Sequence, residues 1–288
     1  MKTVRTVLDL RAALSTGRAT GASVALVPTM GALHDGHLEL ARRARAENDV
    51  VVMSIFVNPA QFNDPADLAG YPRDEAADAD LAAEAGVDLL FVPSAAEIYP
   101  PGFSVTVALH GPIVETLEGA QRGTGHFRGV TTVVSKLLNI AGPLRAYFGA
   151  KDAQQARVVR GMVADLNIDT EIVTVPTVRE PDGLAMSSRN RRLSPAERRQ
   201  ATGLFAALRA AQQMNSGGEG RGQIILDEAG RILTEHGITP EYLALVDADT
   251  FLPTTTVGVR PAVLLVAAQI GSTRLIDNVR LGAPQSVR

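Results

Sequence analysis

The sequence predicts an α/β protein: a doubly wound parallel sheet in the first part of the chain, followed by a smaller α+β domain. Three observations carry this. Short apolar runs alternate with helical patterns through roughly the first 180 residues. Several of those runs are apolar on both faces, as strands covered by helices on both sides must be. After Arg179 the pattern changes to longer helices and a second group of strand-like runs.

Residues 23–30 (SVALVPTM) form the first apolar run, and residues 36–48 show helical spacing, with Leu38, Leu40, Ala41 and Ala44 apolar among charged neighbours. Residues 49–58 (DVVVMSIFVN) read as a central strand. Residues 75–85 then read as a helix and 87–93 as another strand. A repeating strand–helix–strand order implies parallel strands joined by right-handed crossovers. Residues 100–125, rich in Pro and Gly, predict loops and an irregular hairpin. The pattern resumes with a helix over 130–141, a strand over 145–148, a helix over 152–166 and a strand over 168–178. Ser194 followed by Pro195 marks a helix start, with that helix running to about 213. Residues 215–222 (NSGGEGRG) form a flexible break, 223–236 a helix, and 242–247 and 262–270 strands of a separate small sheet. The expected domains are residues 1–180 and 181–288.

Composition narrows the function. The chain has 288 residues, 45% hydrophobic and 20% charged, the ordinary range for a soluble globular protein. It contains no cysteine, which excludes disulfides, thiolate metal sites, iron–sulfur clusters and cysteine nucleophiles. A net charge of −3 supplies no global basic field for nucleic acid. Polar residues interrupt any signal-peptide core at the N-terminus, and no run approaches the ~20 apolar residues of a membrane helix. The expectation is a cytoplasmic protein with no nucleic-acid or membrane partner.

Four segments carry chemistry. The first is Met30, Gly31, Ala32, Leu33, His34, Asp35, Gly36 and His37, where an apolar strand turns into a helix. In such sheets ligands bind beyond the carboxyl ends of the strands, and a helix N-terminus suits phosphate. Imidazoles three residues apart share a helix face and can donate to developing phosphate charge, while Gly36 lets a nucleotide approach closely. A zinc pair or an incidental helix cap are the alternatives for these histidines. In the second segment, Asn58 and Gln61 follow the second strand, where neutral amides can hold a small hydroxy acid; an Asn-Pro turn is the alternative. The third, Gly149, Ala150, Lys151 and Asp152, brings a lysine to the same sheet edge as a point charge for polyphosphate, with Gln155 one helical turn on; Asp152 could equally cap the helix. The fourth is Met186, Ser187, Ser188 and Arg189, whose hydroxyls and guanidinium could close over the outer phosphates on a mobile loop, or simply form a solvated basic linker.

Taken together, residues 28–37 (PTMGALHDGH), 56–62 (FVNPAQF), 71–73, 126–130, 148–155 and 183–190 resemble the pantoate–β-alanine ligase (pantothenate synthetase) family of the HxGH nucleotidyltransferase superfamily. The resemblance implies a Rossmann-like nucleotide domain with a C-terminal lid, and a homodimer formed through the first domain. It implies that the pantoate carboxylate attacks the α-phosphate of Mg-ATP, and that β-alanine then displaces AMP from pantoyl adenylate. It assigns ATP to residues 30–37, 149–152, Val178 and 186–189, with His37 as the family's proton donor and His34 and Lys151 assisting. Gln61 and Gln155 bind pantoate, with Asn58, Tyr71, Glu118 and Arg122 as further wall residues. Asp78 matches a carboxylate near Mg²⁺. The chain departs from the usual pattern at Ala77, Ala150 and Ala153, and the 122–126 segment is one residue longer. A different nucleotidyltransferase, or a silent nucleotide sensor, are the competing functions.

Overall fold

A computed structural model describes residues 1–63 and 65–282. Cα packing divides the chain into two compact units: 1–150 with 154–176, and 151–153 with 177–288. The break falls between Pro176 and Thr177 rather than after residue 180. The segment 151–153 packs with the second unit although its flanks pack with the first.

The first unit is built on six parallel strands: β1 (Lys2–Val4), β2 (Val24–Thr29), β3 (Val50–Ile55), β4 (Leu89–Phe91), β5 (Arg145–Gly149) and β6 (Glu171–Val175). Their order is β1-β4-β3-β2-β5-β6, with every pairing parallel. After the edge strand β1, the chain enters the middle of the sheet as β2 and moves outward through β3 and β4. It then returns to add β5 and β6 on the other side. The reversal lies between β2 and β5, the point where such sheets open a ligand crevice.

Side-chain alternation builds two cores, one on each face. Val24, Leu26 and Val52 pack on one face with Leu137 and Leu138 of the helix Thr124–Ala141. Ala25, Val27, Val51 and Met53 pack on the other with Leu38, Ala41 and Ala44 of the helix Asp35–Glu47. A polar strap crosses the second face. Buried Tyr147 donates its hydroxyl to Glu47 Oε2 (2.8 Å) and accepts from Asn48 Nδ2 (2.7 Å).

Several local expectations change. The helix Val7–Ala19 was not expected. Its Thr6 cap accepts from the Asp9 N–H, and Leu10 and Leu14 bury one face. Residues 100–125 contain no hairpin; short helices Pro112–Glu115 and Glu118–Arg122 occupy the segment, followed directly by Thr124–Ala141. The strand expected over 168–178 is confined to Glu171–Val175.

In the second unit the helices Pro195–Ser216 and Gly222–Glu235 cover an antiparallel sheet of β7 (Pro240–Asp247), β8 (Ala262–Ile270) and β9 (Thr273–Leu281). Ser194 and Glu197 form a reciprocal capping box with Pro195 in the first turn. That helix continues to Ser216, into the expected break. Strand β9 was also not expected. Among the described residues no helix is long and apolar enough to cross a membrane.

Candidate active site

The turn after β2 is held by four hydrogen bonds. Thr29 Oγ1 donates to the Ser54 carbonyl (2.7 Å) and accepts from the Gly31 N–H (3.2 Å). Gly31 and Ala32 both take positive φ, 79° and 50°, which reverses the chain and turns two N–H groups toward Asp78. The Asp78 carboxylate, buried on the helix Glu75–Glu84, accepts from the N–H of Ala32 (2.9 Å) and of Leu33 (2.7 Å). A Cβ at Gly31 would lie 2.8 Å from Asp78 Oδ2, so the left-handed backbone and the close carboxylate both need glycine.

This turn delivers His34 as the N-cap of the helix Asp35–Glu47, with no side-chain hydrogen bond to the first-turn N–H groups. The His34 side chain leaves the cap position unused, and the positive end of such a helix suits an anion. The His37 ring stacks on that of His34, with centroids 4.1 Å apart and planes at 27°. Asp35 and Gly36 lie between them in the first turn.

The amide turn lies against the histidine turn. Asn58 caps the short helical turn Pro59–Gln61 by accepting from the Ala60 N–H (3.2 Å). It is 1% exposed, and its whole amide is engaged. Asn58 Nδ2 donates to Gln61 Oε1 (3.0 Å) and to the Gly129 carbonyl (3.1 Å), while Oδ1 accepts from the Tyr99 hydroxyl (2.8 Å). The Asn58 contacts orient the Gln61 side chain. With Gln61 Oε1 facing Asn58, Nε2 donates to Met30 Sδ at 3.0 Å. Burial pushes Tyr99 up to about 12, against the opposing effect of its bond to Asn58, so the phenol remains a donor at neutral pH.

Two neighbours support this turn. His126 Nδ1 lies 2.9 Å from the Gln61 carbonyl. At Gly129 the helix backbone presses on the turn; an added Cβ would lie 2.2 Å from the Ala60 carbonyl oxygen. Tyr71 meets Phe62 edge to face at 5.9 Å.

Gln155 lies half-buried in the first turn of the helix Ala153–Asp165. Its neighbour Gln154, which no motif singles out, is buried and braces the segment 113–118. Gln154 accepts from the Glu118 N–H (3.0 Å) and donates to the carbonyls of Ile113 (2.8 Å) and Thr116 (2.9 Å). Buried Glu118 in turn pairs with Arg122 Nε at 2.8 Å. Tyr99 and Gln154 are thus supporting residues that the sequence motifs do not reveal; only their buried polar placement does.

The remaining expected residues group as follows. Gly149 ends β5, and Ala150, Lys151 and Asp152 form one short helical turn. Lys151 Nζ lies 3.8 Å from Asp152 Oδ2. Lys151, Asp152, Val178, Met186, Ser187, Ser188 and Arg189 belong to the second unit. There Met186 N–H donates to the Val178 carbonyl (3.0 Å), and Arg179 bridges Ala185. Ser187 caps the turn Ser188–Arg192. Buried Asn190 donates to Glu180 Oε1 (2.6 Å) and the Ala185 carbonyl (3.0 Å). The segment is folded back on itself, unlike a solvated linker.

Among the described residues no group of three His, Asp or Glu side chains could hold a metal ion. The zinc alternative for His34 and His37 lacks its third ligand. Asp78, expected beside Mg²⁺, has both oxygens on backbone N–H groups.

Comparison with known proteins agrees with the sequence resemblance. A family model described as pantoate-beta-alanine ligase matches residues 2–280. The chain is 50% identical to the pantothenate synthetase of Moorella thermoacetica, covering 98% of this chain and 99% of that one. It is 51% identical to that of Cereibacter sphaeroides, covering 96% and 98%. The crystal structure of pantothenate synthetase from Thermus thermophilus superposes with a TM-score of 0.90 at 47% identity, covering 97% and 99%. The Francisella tularensis pantoate-beta-alanine ligase, complexed with beta-gamma ATP and beta-alanine, superposes with a TM-score of 0.80 at 35% identity, covering 97% of each chain. With its parallel nucleotide-type sheet, stacked histidine turn and adjoining amide turn, the chain belongs to the pantoate–β-alanine ligase family.

Proposed function

We propose that this chain condenses pantoate and β-alanine to pantothenate at the expense of ATP, through pantoyl adenylate. The observation that carries this is the stacked His34–His37 pair at the positive end of a helix, beside the oriented amide of Gln61. The former suits a polyphosphate and the latter a small hydroxy acid. The ATP and β-alanine named for the Francisella relative support the same substrate set.

In the first step a pantoate carboxylate oxygen bonds to the α-phosphorus and pyrophosphate leaves. A carboxylate resists amine attack until it carries a good leaving group, and the adenylate supplies one. In the second step the β-alanine amine attacks the acyl carbon and AMP departs. The imidazoles of His37 and His34 donate to the α-phosphate oxygens as charge develops, a role that needs fixed donors more than proton transfer. Residues 30–37 and 149–152, with Val178, Met186, Ser187, Ser188 and Arg189, hold ATP, and Lys151 meets its phosphates. Gln61 and Gln155 hold pantoate, while Tyr71 and Arg122 complete its wall. Mg²⁺ enters as part of the Mg-ATP substrate rather than at an all-protein site, since Asp78 is occupied by the turn. The second domain serves as the lid. The family's homodimer and a cytoplasmic location complete the proposal.

The test is the product set. Pantothenate, AMP and pyrophosphate in equal amounts support the reading, and a lasting nucleotidyl product overturns it. His37→Ala and Lys151→Ala are each expected to lower adenylation by roughly 10²–10³; activity retained within about threefold removes that residue from the mechanism.

A further inference from the structure

Strand β9 carries a polar pair where a sheet facing a hydrophobic core needs none. Asp277 and Asn278 are 2% and 8% exposed, between core residues Leu275 and Val279. Burying two polar side chains is costly unless each is matched, and the partners that match them are informative.

Asp277 pairs with Arg179 through both oxygens, at 2.6 and 3.1 Å. The Arg179 guanidinium stacks 3.9 Å from the Phe205 ring and donates to the Gly183 carbonyl (3.1 Å). Burial pushes the Asp277 carboxyl up, opposed by Arg179, by the Asn278 N–H and by the charge of Lys151. Asn278 Nδ2 donates to the backbone carbonyl of Lys151 at 2.8 Å, and its N–H returns to Asp277 Oδ1 at 2.7 Å. One dipeptide thus grips two distant stretches of chain: the turn that presents Lys151, and the strand-like segment at Arg179 that joins Val178 and Met186. This accounts for the packing of residues 151–153 with the second unit.

We propose that Asn278, braced by the Asp277–Arg179 pair, is a positioning residue for Lys151, holding the lysine turn in register with the residues 178–189. This rests on the proposed contact of Lys151 with ATP phosphates. Asn278 touches no reacting atom. Its amide fixes the backbone from which the lysine reaches, so its loss misplaces an ammonium rather than removing one.

A double-mutant cycle tests this, with adenylation read as single-turnover pyrophosphate release from ATP and pantoate without β-alanine. Asn278→Ala is expected to slow adenylation about ten- to a hundredfold, the scale of a misplaced catalytic group. In the Lys151→Ala background the same substitution is expected to change the rate by less than about twofold, because the group it positions is gone. Equal losses in both backgrounds, or no loss in the parent chain, overturn the proposal. Asn278→Ser keeps a polar side chain too short to reach the Lys151 carbonyl. It gives the same two readings should the alanine variant fold poorly. If Lys151→Ala alone stays within about threefold of the parent, the assignment of Lys151 to ATP fails, and the Asn278 proposal with it. If Lys151→Ala is crippled while the Asn278 loss multiplies, the positioning proposal alone fails.

Discussion

Asp78→Asn separates a turn clamp from a metal ligand. Asp78 accepts from two buried N–H groups, of Ala32 at 2.9 Å and Leu33 at 2.7 Å. Hydrogen bonds to a charged group contribute about 1.5–3 kcal/mol each. Asparagine keeps one acceptor oxygen, now neutral, and sets an NH₂ against the other N–H. One charge-assisted bond disappears and its N–H remains buried, while the other weakens, for a loss of about 3 kcal/mol. At roughly 2–4 °C per kcal/mol for a body of this size, Tm falls by about 6–12 °C. The relaxed turn also carries His34 and His37 away from their stacked placement, so adenylation slows by about 10²-fold. Thermal unfolding by circular dichroism and single-turnover pyrophosphate release measure the two effects. On the clamp account, neither recovers at high Mg²⁺. A variant with the parent's Tm whose activity is restored by Mg²⁺ would instead make Asp78 a metal carboxylate.

Gly129→Ala places a Cβ 2.2 Å from the Ala60 carbonyl oxygen. Overpacking of this kind costs about 1–3 kcal/mol, and pantoate affinity is expected to fall with stability; an unchanged KM for pantoate contradicts the contact. Tyr99→Phe removes the 2.8 Å bond to Asn58 Oδ1. At about 0.5–1.5 kcal/mol for one neutral hydrogen bond, the KM for pantoate should rise about 3–10-fold with that for ATP unmoved, and an equal rise in both argues against a role at Gln61. Glu47 offers a pH test. Burial pushes its carboxyl up, but bonds from Tyr147 and Arg43 and the charges of Arg43 and Arg145 bring it below its ordinary value of 4.5. Its stabilisation is full above that value and disappears as pH falls through the lowered folded one. Tyr147→Phe should therefore shrink the drop in Tm between about pH 7 and about pH 3, with pantothenate formation unchanged. Identical acid sensitivity in both proteins excludes this role for the Tyr147–Glu47 bond.

The doubly wound sheet was legible because β2 and β3 are apolar on both faces and alternate with helices that show their own period. The helix Val7–Ala19 was missed, although Thr6, Asp9, Leu10 and Leu14 carry its cap and its buried face. Strand β9 was hidden for a different reason. Buried Asp277 and Asn278 interrupt the apolar–polar alternation that marks a strand, and they do so where the structure needs a grip on other segments. The hairpin expected over residues 100–125 rested on Pro and Gly alone, which mark chain reversals without saying what they join. At the candidate site, residue types near strand ends pointed to phosphate and small-acid chemistry. They could not show that Asn58 is consumed in orienting Gln61, that Asp78 holds a turn, or that Gln154 rather than Gln155 is the buried brace. Each of those also draws on partners between 36 and 71 residues away in the chain.

Activation of pantoate by adenylation at the histidine turn is read by mixing excess enzyme with ATP and pantoate in the absence of β-alanine. The expected outcome is a burst of pyrophosphate equal to the limiting substrate, an enzyme-bound pantoyl adenylate recoverable by acid quench, and its conversion to pantothenate and AMP when β-alanine is added. Release of ADP and inorganic phosphate, or no pyrophosphate until β-alanine arrives, would contradict it.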